Sequence, residues 1–419
     1  MSHKRYKNTT VLILVDALRW DSILKDGLFI KRLSEKGISG SLIPPFAFKP
    51  DAAFFAGLYP EEYDGGTEYW FSPETSPFKF TARVPLLKMV DILPERLQLP
   101  FRLAVRTYAQ MVFRYKRIRR QASPAKIPFK YLKYFDFSMK YPPFGSEFAP
   151  KPTIFDILRH NNKTWFFYGP PLHNVRAKSV LKRVKQLNEP FDFVFLFIGD
   201  LDWVGHKFGP ESPELEEKLL EVDRCIEEIY NIFKQKYESL NLIVFGDHGM
   251  VKVKKTLDIE VCLRRLNLIP GKDYIYFLDS TLARFWFKNE KARGVVSEML
   301  ASLKSGRIID KEWTVKYRIR YPHNKFGELM FWVNSGVLIL PNFFQGSTLV
   351  KGMHGYPAEA RDNHSAFIVN IDKEDLGIRI NTPLDMVDLF PTILRLMNLE
   401  IPEGTHGRDI VTRAIDGEI

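Results

Sequence analysis

The chain has 419 residues, 45% of them hydrophobic, and a formal net charge of +11 at pH 7. This length provides for a large buried core and would allow two or three domains. No apolar run approaches the roughly 18 residues of a membrane-spanning helix. The two cysteines, Cys225 and Cys262, need no disulfide framework and suit a reducing compartment.

The first predicted element is a buried strand over residues 9–15, directly before Asp16. Basic residues precede this short apolar run, so the N-terminus has the outline of a signal peptide. Cleavage nearby would remove Asp16, which is a candidate metal ligand. We therefore interpret the run as a strand and expect a cytoplasmic protein.

The segment from about residue 68 to 150 departs from the strand pattern and is rich in Pro, Phe and basic residues. After Glu95 and before Asp136 it has eleven Lys or Arg residues and no acid. This stretch accounts for the whole excess of positive charge, since 11 minus 11 leaves the remainder near neutral. A charge confined to one stretch indicates an anionic partner more strongly than a uniformly basic surface would.

Residues 101–120 within this segment predict a basic amphipathic helix. Its apolar face has Phe101, Ala104, Val105, Tyr108, Met111, Val112 and Tyr115, and Arg102, Arg106, Arg117 and Arg120 fall largely to the other side. Such a helix is typical of an anionic membrane surface, here the inner membrane face. The alternative is a helix packed on the catalytic domain with solvated arginines. Nucleic acid ranks lowest, because no nucleic-acid-binding module accompanies the basic residues.

Two further buried strands are predicted over residues 191–198 and 241–245, with a crossover helix over residues 213–237 between them. Their continuous apolar runs are typical of a parallel sheet covered on both faces. Residues from about 255 to 350 predict an inserted α+β cap, and residues 383–399 predict a last helix with Pro391 near its first turn. We therefore expect a single α/β catalytic domain with a doubly wound, mostly parallel sheet, helices on both faces and an inserted cap.

Six side chains of metal-binding type follow these strands or lie in short glycine-containing motifs, namely Asp16, Asp202, His206, Asp247, His248 and His354. Three carboxylates and three imidazoles suit zinc or a similar transition metal. In doubly wound folds ligands bind at the carboxyl ends of the strands, so we expect the six to converge there.

Some of these residues have plainer interpretations. Asp16 alone would serve equally well as a helix N-cap. Asp200 competes with Asp202, although the spacing within the motif favours Asp202. Three other histidines are interpreted as surface, core or structural residues, namely His173, His364 and His406.

The motifs resemble those of the alkaline phosphatase superfamily, and most closely its nucleotide pyrophosphatase/phosphodiesterase branch, over roughly residues 9–66, 190–255 and 350–412. The matching positions are Asp16, Arg19 and Asp21, then Asp202, Gly205, His206, Phe208, Gly209 and Pro210, then residues 247–250 and 354–356. The resemblance implies two divalent cations, most simply zinc, with manganese as an alternative. It assigns Asp202, His206 and His354 to one cation and Asp16, Asp247 and His248 to the other. Two such cations can clamp the attacking and leaving oxygens of a displacement at phosphorus.

The resemblance also implies a nucleophile ten residues before Gly57, where relatives carry a hydroxyl or a modified cysteine. That position is Ala47, and Pro44 and Phe48 support the register. Alanine cannot form the covalent intermediate. Four explanations stand: an engineered substitution, Asp51 acting as nucleophile or general base, direct attack by metal-bound hydroxide, or loss of catalysis. The altered residues after Phe48 weigh against simple engineering.

Two functions are therefore expected as alternatives. The first is a dinuclear-metal phosphohydrolase that cleaves a phosphodiester or pyrophosphate bond in a nucleotide-linked or lipid-linked substrate. The second is a catalytically impaired, membrane-associated binding protein on the same fold.

Overall fold

A computed structural model describes residues 5–84, 86–116, 122–145, 147–170 and 173–419. In chain order, its strands are β1 (Tyr6–Val15), β2 (Ile38–Ile43), β3 (Tyr69–Phe71), β4 (Phe135–Phe137), β5 (Trp165–Tyr168), β6 (Phe193–Ile198), β7 (Tyr237–Phe245), β8 (Val251–Lys252), β9 (Lys255–Leu257), β10 (Tyr274–Leu278), β11 (Leu282–Phe287), β12 (Gly306–Ile308), β13 (Leu329–Val333), β14 (Val337–Ile339), β15 (Gly352–Met353), β16 (Ser365–Asn370), β17 (Ile378–Arg379) and β18 (Leu384–Asp385).

The helices, also in chain order, are α1 (Phe29–Lys36), α2 (Asp51–Ala56), α3 (Pro60–Tyr63), α4 (Leu87–Val90), α5 (Glu95–Tyr115), α6 (Phe129–Leu132), α7 (Ile154–His160), α8 (Ala177–Lys185), α9 (Asp200–Phe208), α10 (Pro213–Lys236), α11 (Ile259–Arg264), α12 (Glu290–Ala301), α13 (Lys311–Lys316), α14 (Leu389–Leu396) and α15 (Ile410–Ile415). None of these described helices is both long and apolar enough to cross a membrane.

The central sheet has the strand order β17-β2-β16-β7-β1-β6-β5, and β18 also pairs with β2. The neighbours β7, β1, β6 and β5 are parallel, whereas β16 is antiparallel to both β7 and β2. The three strands predicted from apolar runs are β1, β6 and β7, which are adjacent in the sheet. The predicted α/β class with a mostly parallel sheet is therefore confirmed.

Strand β1 shows why its sequence is apolar throughout. Val11 and Ile13 pack in a core with helices α1, α8 and α10, while Leu12 and Leu14 pack in a second core with α2, α7 and α14. Successive side chains of a strand point to opposite faces, so both faces of this sheet are covered. The predicted crossover helix is α10, which joins β6 to β7 through the first of these cores.

The last predicted helix begins later than its sequence indicated. Leu384 and Asp385 pair with β2 as strand β18, and Met386–Asp388 form a single 3-10 turn, so the α-helix begins at Leu389. Pro391 is the third residue of α14, which agrees with a position in the first turn.

The predicted cap is an antiparallel sheet of order β10-β11-β13-β12 accompanied by α11, α12 and α13. A fully buried ion pair lies inside it, with Arg284 Nε 2.7 Å from an Asp279 carboxylate oxygen. Arg284 also donates a hydrogen bond to the carbonyl of Tyr69 in β3. The cap and the segment of residues 68–150 therefore share one apolar core.

Helix α5 is the predicted basic helix, and it ends at Tyr115. Arg117 and Arg120 lie outside the described residues. The predicted apolar face is wrong in part. Val105 and Val112 are buried, but Met111 and Tyr115 are 59% and 88% exposed. The helix packs through a face that also includes Ala109 and Phe113, because the shared core covers that side.

The predicted polar face needs a correction as well. Arg102 is half-buried and donates hydrogen bonds to the side chain of Gln98 and the carbonyl of Ala125. It is therefore a structural link between α5 and the residues after that helix, and not a solvated arginine.

Candidate metal centre

Three adjacent strands deliver most of the candidate ligands to one edge of the sheet. Asp16 directly follows β1, and Asp247 follows β7 by two residues. Helix α9 begins two residues after β6 and carries Asp202 and His206. Val15 is level with Ile198, and Leu14 is level with Phe245, so the carboxyl ends of these strands coincide. The convergence expected from a parallel sheet is observed.

Helix α9 distinguishes Asp202 from its rival. Asp202 and His206 are one turn apart, with an Asp202 carboxylate oxygen 3.1 Å from His206 Nε2. Asp200 instead accepts a hydrogen bond of 2.7 Å from the backbone N–H of Ala177 at the start of α8. Asp200 thus has a capping role, and Asp202 faces the cluster.

His354 reaches the same place from a distant part of the chain. Strand β15 pairs with β8, which sets Met353 opposite Val251 and brings the last motif beside residues 247–250. The His354 ring stacks on His248 with 3.6 Å between centroids and an interplanar angle of 4°. The His206 ring centroid lies 5.2 Å away from that of His354.

The structure therefore brings all six candidate ligands together, in two overlapping groups. One group is Asp202, His248 and His354, and the other is Asp16, Asp247 and His248, with the ligand atoms of each group within 4.8 Å of one another. His206 joins the first group through its contact with Asp202. His248 lies within reach of both groups, whereas the family resemblance assigns it to the second alone.

The ring orientation of two histidines suits a bound cation. Nδ1 of His206 lies 2.8 Å from the carbonyl of Gly352, and Nδ1 of His248 lies 2.8 Å from the carbonyl of Gly249. A neutral imidazole that donates from Nδ1 presents a lone pair at Nε2. In both cases Nε2 then faces a carboxylate oxygen, at 3.1 Å from Asp202 and 3.3 Å from Asp16. When a cation displaces the proton from Nε2, that nitrogen and the facing carboxylate oxygen would be two ligands of the same ion.

The charges of the cluster also indicate a site for cations. Burial, and then the charges of Asp247 and Asp202, raise the pKa of Asp16 well above its usual range. Burial would lower the pKa of His248, but the charges of Asp247 and Asp16 overcome it and raise that pKa to about 10. Among the described residues, a buried oxygen of Asp202 and Nδ1 of His354 have no hydrogen-bond partner. Three clustered carboxylates, of which Asp247 is buried and Asp16 and Asp202 are partly exposed, thus require nearby positive charge, which divalent cations would supply.

Close packing of glycines holds the motifs against one another. A Cβ atom on Gly352 would lie 2.5 Å from the carbonyl oxygen of Gly205 and 2.9 Å from the sulfur of Met250. Real Cβ contacts are not this short, so glycine is required where β15 crosses α9. The same crossing sets the distance between His206 and His354.

We expect Gly352→Ala to weaken divalent-metal binding about tenfold, because it pushes the two elements that carry His206 and His354 apart. Overpacking of this kind costs roughly 1–3 kcal/mol of stability. Metal titration and urea denaturation would measure the two effects. Gly294→Ala is the matched control, since a Cβ there meets no atom within 4 Å. An unchanged metal affinity in Gly352→Ala would contradict the role of this contact.

Several residues that position His354 were missed at the sequence level. The side chain of buried Asn363 accepts from the N–H of Gly355 and donates to the carbonyl of Tyr356. The carbonyl of Gly355 accepts from Thr281 and Trp332 of the cap. The contacts of Thr281 and Trp332 join residues far apart in the sequence, and the contacts of Asn363 lie within one loop that matches no recognised motif.

The residue after the position implied for the nucleophile contacts this cluster. The ring of Phe48 contacts that of His354, with 5.6 Å between centroids, and packs on Gly355, where a Cβ would lie 2.4 Å from it. Its neighbour Ala47 has φ of 67°, in the left-handed region. The proximity of the Ala47 side chain to a cation stays a prediction.

Asp51, the alternative nucleophile, is the first residue of α2. Neither group of ligand atoms found among the described residues includes it. After burial, its charge is the cause that raises the pKa of Tyr63. Its predicted catalytic role gains no support from this placement.

Comparisons with known proteins agree with the motifs. The model of a family described as type I phosphodiesterase / nucleotide pyrophosphatase matches residues 10–357. Human ectonucleotide pyrophosphatase/phosphodiesterase family member 5 is 25% identical over 221 residues, covering 50% of this chain and 43% of that protein. Mouse family member 7 is 41% identical over 234 residues, covering 54% and 52%. Bovine bis(5'-adenosyl)-triphosphatase is 26% identical over 262 residues, covering 60% and 55%. The chain thus spans about half the length of the curated relatives it matches.

Solved structures share the fold. Human ectonucleotide pyrophosphatase/phosphodiesterase 5 has a TM-score of 0.67 at 16% identity, covering 97% of this chain and 99% of that one. An inactive variant of the murine protein in complex with AMP has a TM-score of 0.65 at 16% identity, covering 94% and 96%. At this level of identity the likeness concerns the fold alone.

Proposed function

Because the chain belongs to the type I phosphodiesterase / nucleotide pyrophosphatase family, within the alkaline phosphatase superfamily, we propose that it hydrolyses a phosphodiester or pyrophosphate bond with two divalent cations as cofactors. The observation that carries this proposal is the pair of ligand groups that meet at His248. Two cations held that close together suit displacement at phosphorus.

We assign Asp202, His206 and His354 to one cation and Asp16, Asp247 and His248 to the other. When bound, the cations supply Lewis-acid stabilisation of charge on the phosphoryl oxygens. Zinc is the proposed metal because imidazole and carboxylate ligands suit it, and manganese is the alternative.

The side chains of this protein would orient and shield the centre. The carbonyls of Gly352 and Gly249 fix the rings of His206 and His248 with Nε2 toward the carboxylates. Phe48 packs on His354 and restricts solvent on that side of the ring. Arg19 forms a bidentate pair with Asp21 and donates to the carbonyl of Met250, which holds the loop after Asp247 and His248 in place.

The proposed substrate is a small molecule with a phosphodiester or pyrophosphate bond, linked to a nucleotide or a lipid. The names of relatives support the nucleotide class, since one is a bis(5'-adenosyl)-triphosphatase and a murine relative was solved with AMP. The cytoplasmic location expected from the sequence stays a prediction.

A second candidate function is phosphate-ester binding without turnover, and Ala47 is the observation that favours it. The murine relative solved with AMP is an inactive variant in which alanine replaces a threonine, so alanine in a family member is compatible with nucleotide binding. A protein with intact candidate ligands and no hydroxyl at the nucleophile position would bind substrate and release it unchanged.

A chromogenic phosphodiester separates the two functions. We expect the purified protein to release nitrophenol from bis(nitrophenyl) phosphate when zinc or manganese is added, and a chelator to stop the reaction. His354→Ala, prepared in parallel, should abolish the same activity. Metal binding without any turnover would favour the binding protein, and turnover that persists in His354→Ala would contradict the proposed centre.

A further inference from the structure

The two helices α4 and α5 and the link between them expose an unusual amount of apolar side chain. We call this the apolar-basic surface. Its exposed apolar residues, with their exposed fractions, are Leu86 (73%), Met89 (60%), Ile92 (83%), Leu97 (58%), Leu99 (66%), Leu103 (58%), Met111 (59%) and Tyr115 (88%). Single exposed apolar residues are ordinary on proteins, but a run of them on adjoining elements indicates a docking surface.

Helix α5 presents these residues as a stripe. Leu99 and Leu103 are neighbours four residues apart, as are Met111 and Tyr115, and all four are exposed on the outward half of the helix. The opposite side, with Val105, is packed in the core that the cap also uses. The helix is therefore held from behind, and its apolar stripe faces away from the described part of the chain.

Exposed basic side chains accompany the stripe. They are Lys88, Arg96, Arg106, Arg114 and Lys116. The segment 86–116 has two acids. Asp91 is engaged by the N–H groups of Phe129 and Lys130, and Glu95 lies in the first turn of α5. The outward charge of this surface is therefore positive.

We propose that the apolar-basic surface docks on an anionic phospholipid bilayer. The apolar side chains would enter the boundary between headgroups and acyl chains, while the arginines and lysines contact lipid phosphates. Charge complementarity selects this occupant over a second copy of the chain, because self-association through this face would bring the same basic side chains together.

The proposed docking would also orient the candidate metal centre. Met353 and Tyr356, which flank His354, lie in the same core as Val105 and Ala109 of α5. The surface and the centre thus belong to one packed unit, so binding of the helix would hold the centre at a fixed height above the lipid. The docking proposal does not depend on the proposed hydrolysis.

Co-sedimentation with vesicles tests the surface. We expect the full chain to bind phosphatidylcholine vesicles that contain phosphatidylglycerol, with affinity that falls as salt rises. The combined variant Arg96→Gln, Arg106→Gln and Arg114→Gln should bind about 100-fold more weakly, since each basic group near such a surface contributes roughly a factor of five. The variant Leu99→Gln, Leu103→Gln and Met111→Gln should lose at least about tenfold. Arg117 and Arg120 of the predicted basic helix lie outside the described residues, so the charge variant uses Arg96, Arg106 and Arg114.

Matched controls use exposed residues elsewhere. Lys182→Gln, Lys291→Gln and Lys304→Gln remove the same charge, and Ile269→Gln with Leu349→Gln removes exposed apolar side chains. Both controls should bind as the parent does.

An equal loss of vesicle binding in the charge control would show that net charge alone causes the effect, and it would overturn the proposal. A parent that does not sediment with anionic vesicles, or that forms a dimer by light scattering which the leucine variant lacks, would overturn it as well. Because vesicle binding is measured without substrate, failure here leaves the proposed hydrolysis untouched.

Discussion

Replacing His354 by Ala is expected to remove one of two bound divalent ions and leave the other in place. His354 belongs to the group with Asp202, while Asp16 and Asp247 form the group on the far side of His248. Asp16→Asn should therefore remove the other ion and retain the first. Elemental analysis of dialysed protein would count the ions per chain. If the parent turns over, either change should lower turnover by roughly two orders of magnitude or more, because the cations supply several kcal/mol at the transition state.

A change at His248 tests whether one residue is shared by both ions, since His248 belongs to both groups of ligand atoms. Under our assignment, His248→Ala should lose the ion held with Asp16 and Asp247 and keep the one held with His354. Loss of both ions would show that His248 is shared between them. His160→Ala changes an exposed histidine at the end of α7 and serves as the control, with two ions expected. Full occupancy in both His354→Ala and Asp16→Asn would contradict the ligand assignment.

The sequence allowed these residues to be identified because strand ends are readable from local pattern. Continuous apolar runs marked β1, β6 and β7, and parallel strands place the residues after their carboxyl ends at one edge of the sheet. Asp16, Asp202 and Asp247 could thus be grouped without a structure. The pairing of β15 with β8, which delivers His354, had no such local signal. His354 was grouped with Asp202 and His206 through the resemblance to a family.

Other contacts depend on packing between distant elements, which local pattern does not encode. Thr281 and Trp332 of the cap hold the loop of His354 through hydrogen bonds to the carbonyl of Gly355. Helix α5 is the clearest case, because its sequence has apolar residues on most sides. Periodicity placed Met111 and Val112 on one face, and only the position of the shared core decides that Val112 is buried while Met111 is exposed.

The second large effect is expected at position 47, where the resemblance to the family implies a hydroxyl. If Ala47 occupies the nucleophile position beside an intact centre, Ala47→Ser should raise phosphodiesterase turnover by roughly 100-fold or more, because a missing nucleophile typically costs a hydrolase much more than that. Serine is a better probe than threonine. The left-handed backbone of Ala47, with φ of 67°, disfavours β-branched side chains. Ala47→Thr should therefore rescue less than Ala47→Ser and should also lower the midpoint of urea denaturation.

The contrary outcomes of this experiment distinguish the remaining explanations. If the parent already turns over and Ala47→Ser slows it, a hydroxyl at position 47 is not the nucleophile, and either water or Asp51 attacks. The variant Asp51→Asn then distinguishes these two nucleophiles. It should abolish turnover if Asp51 attacks and leave turnover nearly unchanged if water attacks. We expect little change, because the charge of Asp51 acts on Tyr63 and its carboxylate belongs to neither ligand group among the described residues. If neither the parent nor Ala47→Ser turns over although both bind two ions, the chain is a binding protein on a phosphodiesterase fold. Its affinity for nucleotides is then the property to measure in place of turnover.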